Sequence, residues 1–252
     1  AAIIDKQIEL VVGWMRIGFI HGVMNTDNTL ISGETIDYGP CAMMNQFDLE
    51  TVFSSIDHQG RYAFGNQPTI ANWNCARLAE SLLPLFKDEE RAPSELSAVI
   101  NGFAAKFNTA FDTMWRLKLG LDGEQAGDQA LVSELLTLMK QHKLDYTNTF
   151  NALTESFRTD FPLPGSLKEW LCKWRLRTSG ESYGVMRAVN PAVIPRNHNI
   201  EMILTEYEQT GTSSSIGELL KVLENPYSYE ERLAAWYQPP HDGDSHYQTF
   251  CG

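Results

Sequence analysis

A chain of 252 residues, 43% hydrophobic, is long enough to bury a substantial core in one large domain or two tightly packed subdomains. Its formal charge of −12 argues against nucleic acid as a partner, because phosphate binding relies on clustered Lys and Arg. No apolar run approaches bilayer length, and Ala1-Ala2-Ile3-Ile4 lacks the basic start and apolar core of a signal peptide, so membrane insertion and export are not expected.

From Asp5 to Ile20, apolar residues at Ile4, Ile8, Val11, Val12, Met15 and Phe19 mark one buried helical face, and this helix delivers the chain into His21. Kinase-fold catalytic loops present a His, an Asp base two residues later and a Mg²⁺-binding Asn seven residues after the His; an Asp-aromatic-Gly turn follows with the second metal oxygen. Here Asn28 stands seven residues after His21, and Asp37 opens Asp37-Tyr38-Gly39-Pro40 nine residues further on. Two hard oxygens are a sufficient protein contribution to Mg²⁺, which takes its remaining ligands from phosphates and water. The place of the base is occupied by Val23, which accepts no proton; the carboxylate inside the loop is Asp27. Between the two motifs, Thr29 to Ile31 and Thr35 to Ile36 read as short β pieces of a small hairpin around Ser32-Gly33-Glu34, a there-and-back path that returns both oxygens to one metal. Either string alone is also an ordinary turn former, rich in Asn, Asp, Gly and Pro for backbone reasons.

Residues 41 to 67 look irregular, punctuated by Gly60 and Gly65. In kinase-like folds the substrate-facing loop lies there, which draws notice to Asp57, His58 and Arg61; for His58 a hydrogen-bonded structural role is the heavier reading. Helices are then expected over Ile70 to Phe86, Ser94 to Leu119, Gly127 to Gln141, Asp145 to Phe157 and Ser166 to Leu176, with aromatics such as Trp73, Phe107, Trp115, Phe150, Trp170 and Trp174 read as core. Asn190-Pro191 interrupts the pattern, after which Asn199 to Gln209 and Ser215 to Leu223 read as helices, the second opened by a Ser215-x-x-Glu218 capping box. The tail from Asn225 reads as ordered surface coil, and neither spacing nor partners give its His241 and His246 a metal role. Cys41, Cys75, Cys172 and Cys251 form no zinc-type pair, and Cys75 and Cys172 read as core thiols.

Taken jointly, His21-Gly22-Val23-Met24-Asn25-Thr26-Asp27-Asn28 and Asp37-Tyr38-Gly39-Pro40 resemble the signature of the selenoprotein O family, protein adenylyltransferases with a pseudokinase fold, at every position. The resemblance continues through Asp57 to Phe64, Asn66-Gln67-Pro68, Trp73-Asn74 and Arg77-Leu78-Ala79, and returns at Asn190-Pro191 and Arg196-Asn197. It covers essentially the whole chain and looks like the C-terminal half of that family. The implied fold is mainly α, the large lobe of a kinase-like fold with a small β hairpin carrying the metal-site residues near the N-terminus. It would be one helical domain, with a catalytic-loop and metal-turn region over 1–68, a helical bundle over 69–224 and a surface tail over 225–252.

The implied activity is transfer of AMP from ATP to Ser, Thr or Tyr hydroxyls of protein substrates. Asp27 would be the base and Asn28 and Asp37 the ligands of Mg²⁺, or of Mn²⁺ in its place. A redox-active cysteine near the family's C-terminus matches Cys251, and with Cys41 beside the Asp37 turn it gives a hypothetical Cys41–Cys251 disulfide tying the tail over the site; two free thiols are the even alternative. The implied compartment is the bacterial cytoplasm, or the mitochondrion in a eukaryote. A Gly-rich phosphate loop and the Lys–Glu pair of a kinase small lobe are missing from these residues, so an N-terminal lobe of the same protein is an expected partner and the chain alone is expected to transfer nothing measurable. A conventional phosphotransferase and a non-catalytic scaffold are the competing readings.

Overall fold

The structure is a computed structural model that describes residues 1–250 other than Ser213, Glu231, Arg232, Asp242 and His246. It is mainly helical. Helix α1 (Ala2–Ile17) buries Ile4, Ile8, Val11 and Met15 and stops at Gly18, whose left-handed backbone (φ 79°) closes the helix as glycine does without a Cβ clash. The helical reading to Ile20 therefore overruns. Phe19–Ile20 is instead strand β1, paired antiparallel with β2 (Ala42–Met43), Phe19 opposite Met43 and Ile20 opposite Ala42.

Helix α2 (Gln67–Leu82) has Pro68 in its first turn, where the missing N–H is harmless. The single helix expected over 94–119 is two, α3 (Ala92–Asn101) and α4 (Phe103–Leu119), parted at Gly102, the residue with the least intrinsic helix preference after proline. Then come α5 (Asp128–Gln141), α6 (Tyr146–Glu155), α7 (Lys168–Arg175), α8 (Ser182–Val189), α9 (Asn197–Thr210), α10 (Ser214–Leu223) and the single turn α11 (Ala234–Tyr237). The Asp145 side chain caps α6 by accepting from Asn148 N at 2.7 Å.

Helix α1 lies against α4 and α2, and one apolar core runs from Ile4 to Met186. At its centre Trp170 and Trp174, stacked with ring centroids 5.7 Å apart, are wholly buried, yet neither indole N–H is stranded: they donate to the carbonyls of Leu131 and Leu119, both at 2.8 Å. A smaller cluster of Ala192, Val193, Val222 and Tyr237 holds the C-terminal helices.

Several expectations need correcting. Residues 29–36 form no strand; the segment is held to α1 by side-chain bonds, Gln7 to the Leu30 carbonyl and Trp14 to the Thr35 hydroxyl, and not by a ladder. Trp73 is 41% exposed and Cys172 is exposed, both on outward faces of their helices, whereas Cys75 is buried and its thiol is pushed up to about 11 by burial. Ser215 makes no capping box; it lies inside α10 and donates to Glu206 on α9. His58, expected in a hydrogen-bonded structural role, is exposed in a turn. The tail contains α11 and reaches into the core, with Tyr237 and Thr249 buried. Among the described residues no helix is long and apolar enough to cross a membrane.

Candidate active site

Residues 21–41 leave and return to the body at the β1–β2 pair, so that two-residue ladder is the foot of the excursion the sequence placed in a hairpin. The foot is fixed from below. Gln67, fully buried at the start of α2, accepts from His21 N at 3.0 Å and donates to Phe19 O at 3.1 Å. Asn197, on α9, accepts from Met43 N and donates to Met43 O, both at 2.9 Å. Arg196 beside it is 1% exposed and forks onto Asp145 at 2.8 and 3.0 Å, with Asn45 and Asn148 as further acceptors. The remote Asn190 also has a buried structural task, accepting from Lys118 Nζ at 3.1 Å and donating to Lys118 O at 2.8 Å.

The outgoing arm is shaped by buried contacts. Gly22 has φ 84°, and a Cβ there would lie 2.5 Å from the carbonyl oxygen of Pro40 on the returning arm, so only glycine lets the two arms cross. The His21 ring sits 5.3 Å from Trp14 and 6.4 Å from Phe19. Its Nε2 lies 2.9 Å from Ile36 O, a group that can only accept; Nε2 therefore carries the proton and Nδ1 is left to accept weakly from Val23 N at 3.4 Å. Burial holds this imidazole below its ordinary value, so at neutral pH it is an uncharged prop between the arms. Val23 is buried, an apolar side chain where a kinase loop would present its base.

The returning arm is laid along α1. Gln7 Nε2 donates to Leu30 O at 2.7 Å and Trp14 Nε1 to Thr35 Oγ1 at 2.9 Å. Asn74 of α2 donates through Nδ2 to Met24 O at 3.0 Å and to Thr29 Oγ1 at 2.9 Å. These side chains place the 3₁₀ turn Thr26–Asn28 and the Asp37 turn face to face.

At that meeting Asn28 Nδ2 donates to Asp37 Oδ2 at 2.7 Å and to Val23 O at 3.2 Å. Both partners are acceptors, which fixes the amide orientation and turns Asn28 Oδ1 away from them. Asp37 adopts φ 57°, a left-handed backbone that non-glycine residues rarely take and that Asp tolerates better than most; it is held there at the tip of an exposed turn. Asp27, one residue before Asn28, is exposed. The three candidates named from spacing therefore stand together. Asn28 Oδ1 and the Asp37 carboxylate are hard oxygens carried on facing turns, a donor set that suits Mg²⁺ when phosphates and water fill the rest of its octahedron and the Asn28 amide turns its oxygen, in place of its N–H, toward the ion. Among the described residues no group of three or more His, Cys, Asp or Glu is placed to hold a metal by itself.

Beside this loop stand Arg61, noticed in the sequence for its place in the substrate-facing segment, and Tyr62 and Arg77, which had no role there. Tyr62 OH donates to Asn25 Oδ1 at 2.5 Å, and the guanidiniums of Arg61 and Arg77 lie 4.7 and 5.2 Å from the Trp73 ring centroid. Asp57 proves structural: its carboxylate accepts from Arg61 N at 2.9 Å and Tyr62 N at 2.7 Å. The tail ends nearby. Asp244 accepts from Asn45 N at 2.8 Å and Gln46 N at 3.0 Å; Thr249 Oγ1 donates to Pro40 O at 2.7 Å, and Thr249 N to Phe53 O at 2.8 Å. Cys41, next to Pro40, is half-buried; Cys251 and His246 lie outside the described residues.

A mainly helical body whose N-terminal region holds Asn28 and Asp37 on facing turns goes with a family of nucleotidyltransferases. The chain belongs to the family described as Protein adenylyltransferase SelO, whose model matches residues 1–224. It is 60% identical over its whole length to "Protein nucleotidyltransferase YdiU" of Pseudoalteromonas translucida, covering 54% of that protein. It is 50% identical to the protein of the same name from Anoxybacillus flavithermus, with 99% of this chain and 53% of the relative covered. A Bradyrhizobium relative, also so named, is 47% identical across 100% of this chain and 54% of its own length. The chain thus spans about half the length of the curated relatives it matches.

Proposed function

We propose that these residues form the large, kinase-like lobe of a protein adenylyltransferase and carry its acid–base and metal-binding groups. An acceptor Ser, Thr or Tyr hydroxyl gives its proton to Asp27 as its oxygen attacks the α-phosphorus of ATP. The bond from that phosphorus to the α–β bridging oxygen breaks, and pyrophosphate leaves. Asn28 and Asp37 would hold Mg²⁺, or Mn²⁺, which when bound offsets the negative charge of the phosphates. The observation that carries this reading is the Asn28–Asp37 hydrogen bond at 2.7 Å with the Asp27 carboxylate exposed one residue away. The burial of Val23 supports it against a conventional kinase, since the usual place of the base is apolar.

The phosphate-binding half of the nucleotide site would come from the part of the relatives' length that this chain does not span. Cys41 is a free thiol in the structure; the seating of Thr249 on Pro40 beside it supports a redox-dependent tie to Cys251 across the Asp37 turn, with two free thiols the even alternative. Labelled ATP tests the reaction in a chain of the relatives' full length carrying these residues. Label from the α-phosphate should appear on protein, with pyrophosphate released and with loss on D37A, and D27N should keep nucleotide binding better than turnover. Transfer of γ-label with release of ADP would overturn it. The 252 residues alone should transfer nothing measurable.

A further inference from the structure

The reactive loop is bordered on its Asn25 side by a stacked aromatic and cationic platform. Trp73 projects from α2 and is 41% exposed, the guanidinium of Arg61 lies 4.7 Å from its ring centroid, and Arg61 also lies 5.6 Å from the ring of Tyr62. Tyr62 is tied to the loop by its hydroxyl bond to Asn25, two residues before Asp27. The backbone beneath Arg61 is set by the Asp57 carboxylate on the Arg61 and Tyr62 amides and by Asn66 Nδ2 on Gly60 O at 2.7 Å.

The two arginines differ in what they are free to do. Arg77, 5.2 Å from the same Trp73 ring, is already paired with Glu80 at 2.6 Å. Among the described residues no ion pair engages Arg61, and Asp57, the carboxylate nearest in sequence, is occupied by backbone amides. A guanidinium packed against aromatic rings keeps its planar donors around the rim, pre-aimed at a carboxylate. In a chain of formal charge −12, an acidic partner meets general repulsion, so a local cation outside any ion pair among the described residues, stacked on the Tyr62 that is bonded to Asn25 of the loop, has an outsized effect on how such a partner docks. The platform is bonded to the loop at Asn25, on the Asp27 side, and not at Asn28 or Asp37, where nucleotide phosphates would gather.

We propose that Arg61, stacked on Trp73 and Tyr62, is a specificity-determining residue that receives an acidic side chain of the acceptor protein close to the modified hydroxyl. This rests on the adenylyltransferase reading, and it is tested without ATP so that the two can fail separately. Two dodecapeptides with a central Ser, differing only in Glu or Gln two residues after it, are titrated into the chain and followed by fluorescence anisotropy. The Glu peptide should bind about fivefold more tightly, near the upper end for an exposed ion pair, and the preference should weaken with salt. R61Q should abolish the preference without lowering the melting temperature, and R77Q should retain it. Equal binding of both peptides to the unsubstituted chain, or a preference that survives R61Q, would overturn the proposal. Displacement of the Glu peptide by inorganic pyrophosphate, lost in R61Q, would assign the residue to the nucleotide and also overturn it.

Discussion

The helical core and the excursion over residues 21–41 are built by different means. In the core, Trp170 and Trp174 of α7, four residues apart, are held by burial with Leu119 of α4 and Leu135 of α5; the two tryptophans reach α5 and α4 and have no exposed surface. In the excursion the chain is held at a few points by single side chains reaching from elsewhere: Gln67 at His21 N, Gln7 at Leu30 O, Trp14 at the Thr35 hydroxyl, and Asn74 at Met24 O and the Thr29 hydroxyl. A packed core distributes its stability over many contacts, whereas the excursion concentrates it in single hydrogen bonds. Its shape can therefore be altered by one substitution while the body stays folded.

That contrast can be broken at both ends. The largest effect is expected in the core, where Trp174→Ala removes a fully buried indole and leaves the Leu119 carbonyl without its partner; it should destabilise the fold by about 3–5 kcal/mol in a denaturant titration. Gln67→Ala strips two buried backbone groups of the foot, so a loss of about 1–3 kcal/mol is expected. Its distinguishing mark should be faster amide exchange of His21 with unchanged exchange in α7. Equal loosening of both regions would contradict the separation between loop and core.

A smaller, pH-dependent effect should come from His21. Its folded value is held below 6.5 by burial, so between that lowered value and 6.5 the unfolded chain binds the proton more readily than the folded one. The stability of the neutral ring is fully present above about 6.5 and is lost as pH falls through the window to the folded value. Melting temperatures at pH 7.5 and 5.5 should fall further apart for the unsubstituted chain than for H21Q.

The same contrast explains what was legible in the sequence. Helical periodicity found most of the body because apolar faces repeat, and it failed where a single residue intervened. Gly102 split one long helix, and Lys118 is buried in α4 because its amine reaches Asn190 and the face of Phe150, 3.9 Å away, a fit no spacing rule reports. In the excursion the reverse held. Asp27, Asn28 and Asp37 are named from particular atoms at particular spacings, and of these the structure brings Asn28 and Asp37 to a 2.7 Å hydrogen bond; the expected hairpin is absent, its arms being held by side chains of α1 and α2. Trp73 belonged to a helical pattern and was read as core; that it faces outward beside Arg61 depends on the 57–66 turn, whose path is set by Asp57 and Asn66 and has no period to read.

The central claim is that Asn28 and Asp37 act as one cation-binding pair beside Asp27. Millimolar Mn²⁺ added to the ¹⁵N-labelled chain tests it most directly through paramagnetic broadening of amide signals. Broadening should centre on Asn28 and Asp37, persist in D27N and disappear in D37N, with the fold retained because Asn also tolerates the left-handed backbone that Asp37 adopts. The same broadening in D37N, or a centre elsewhere on the molecule, would contradict the pair.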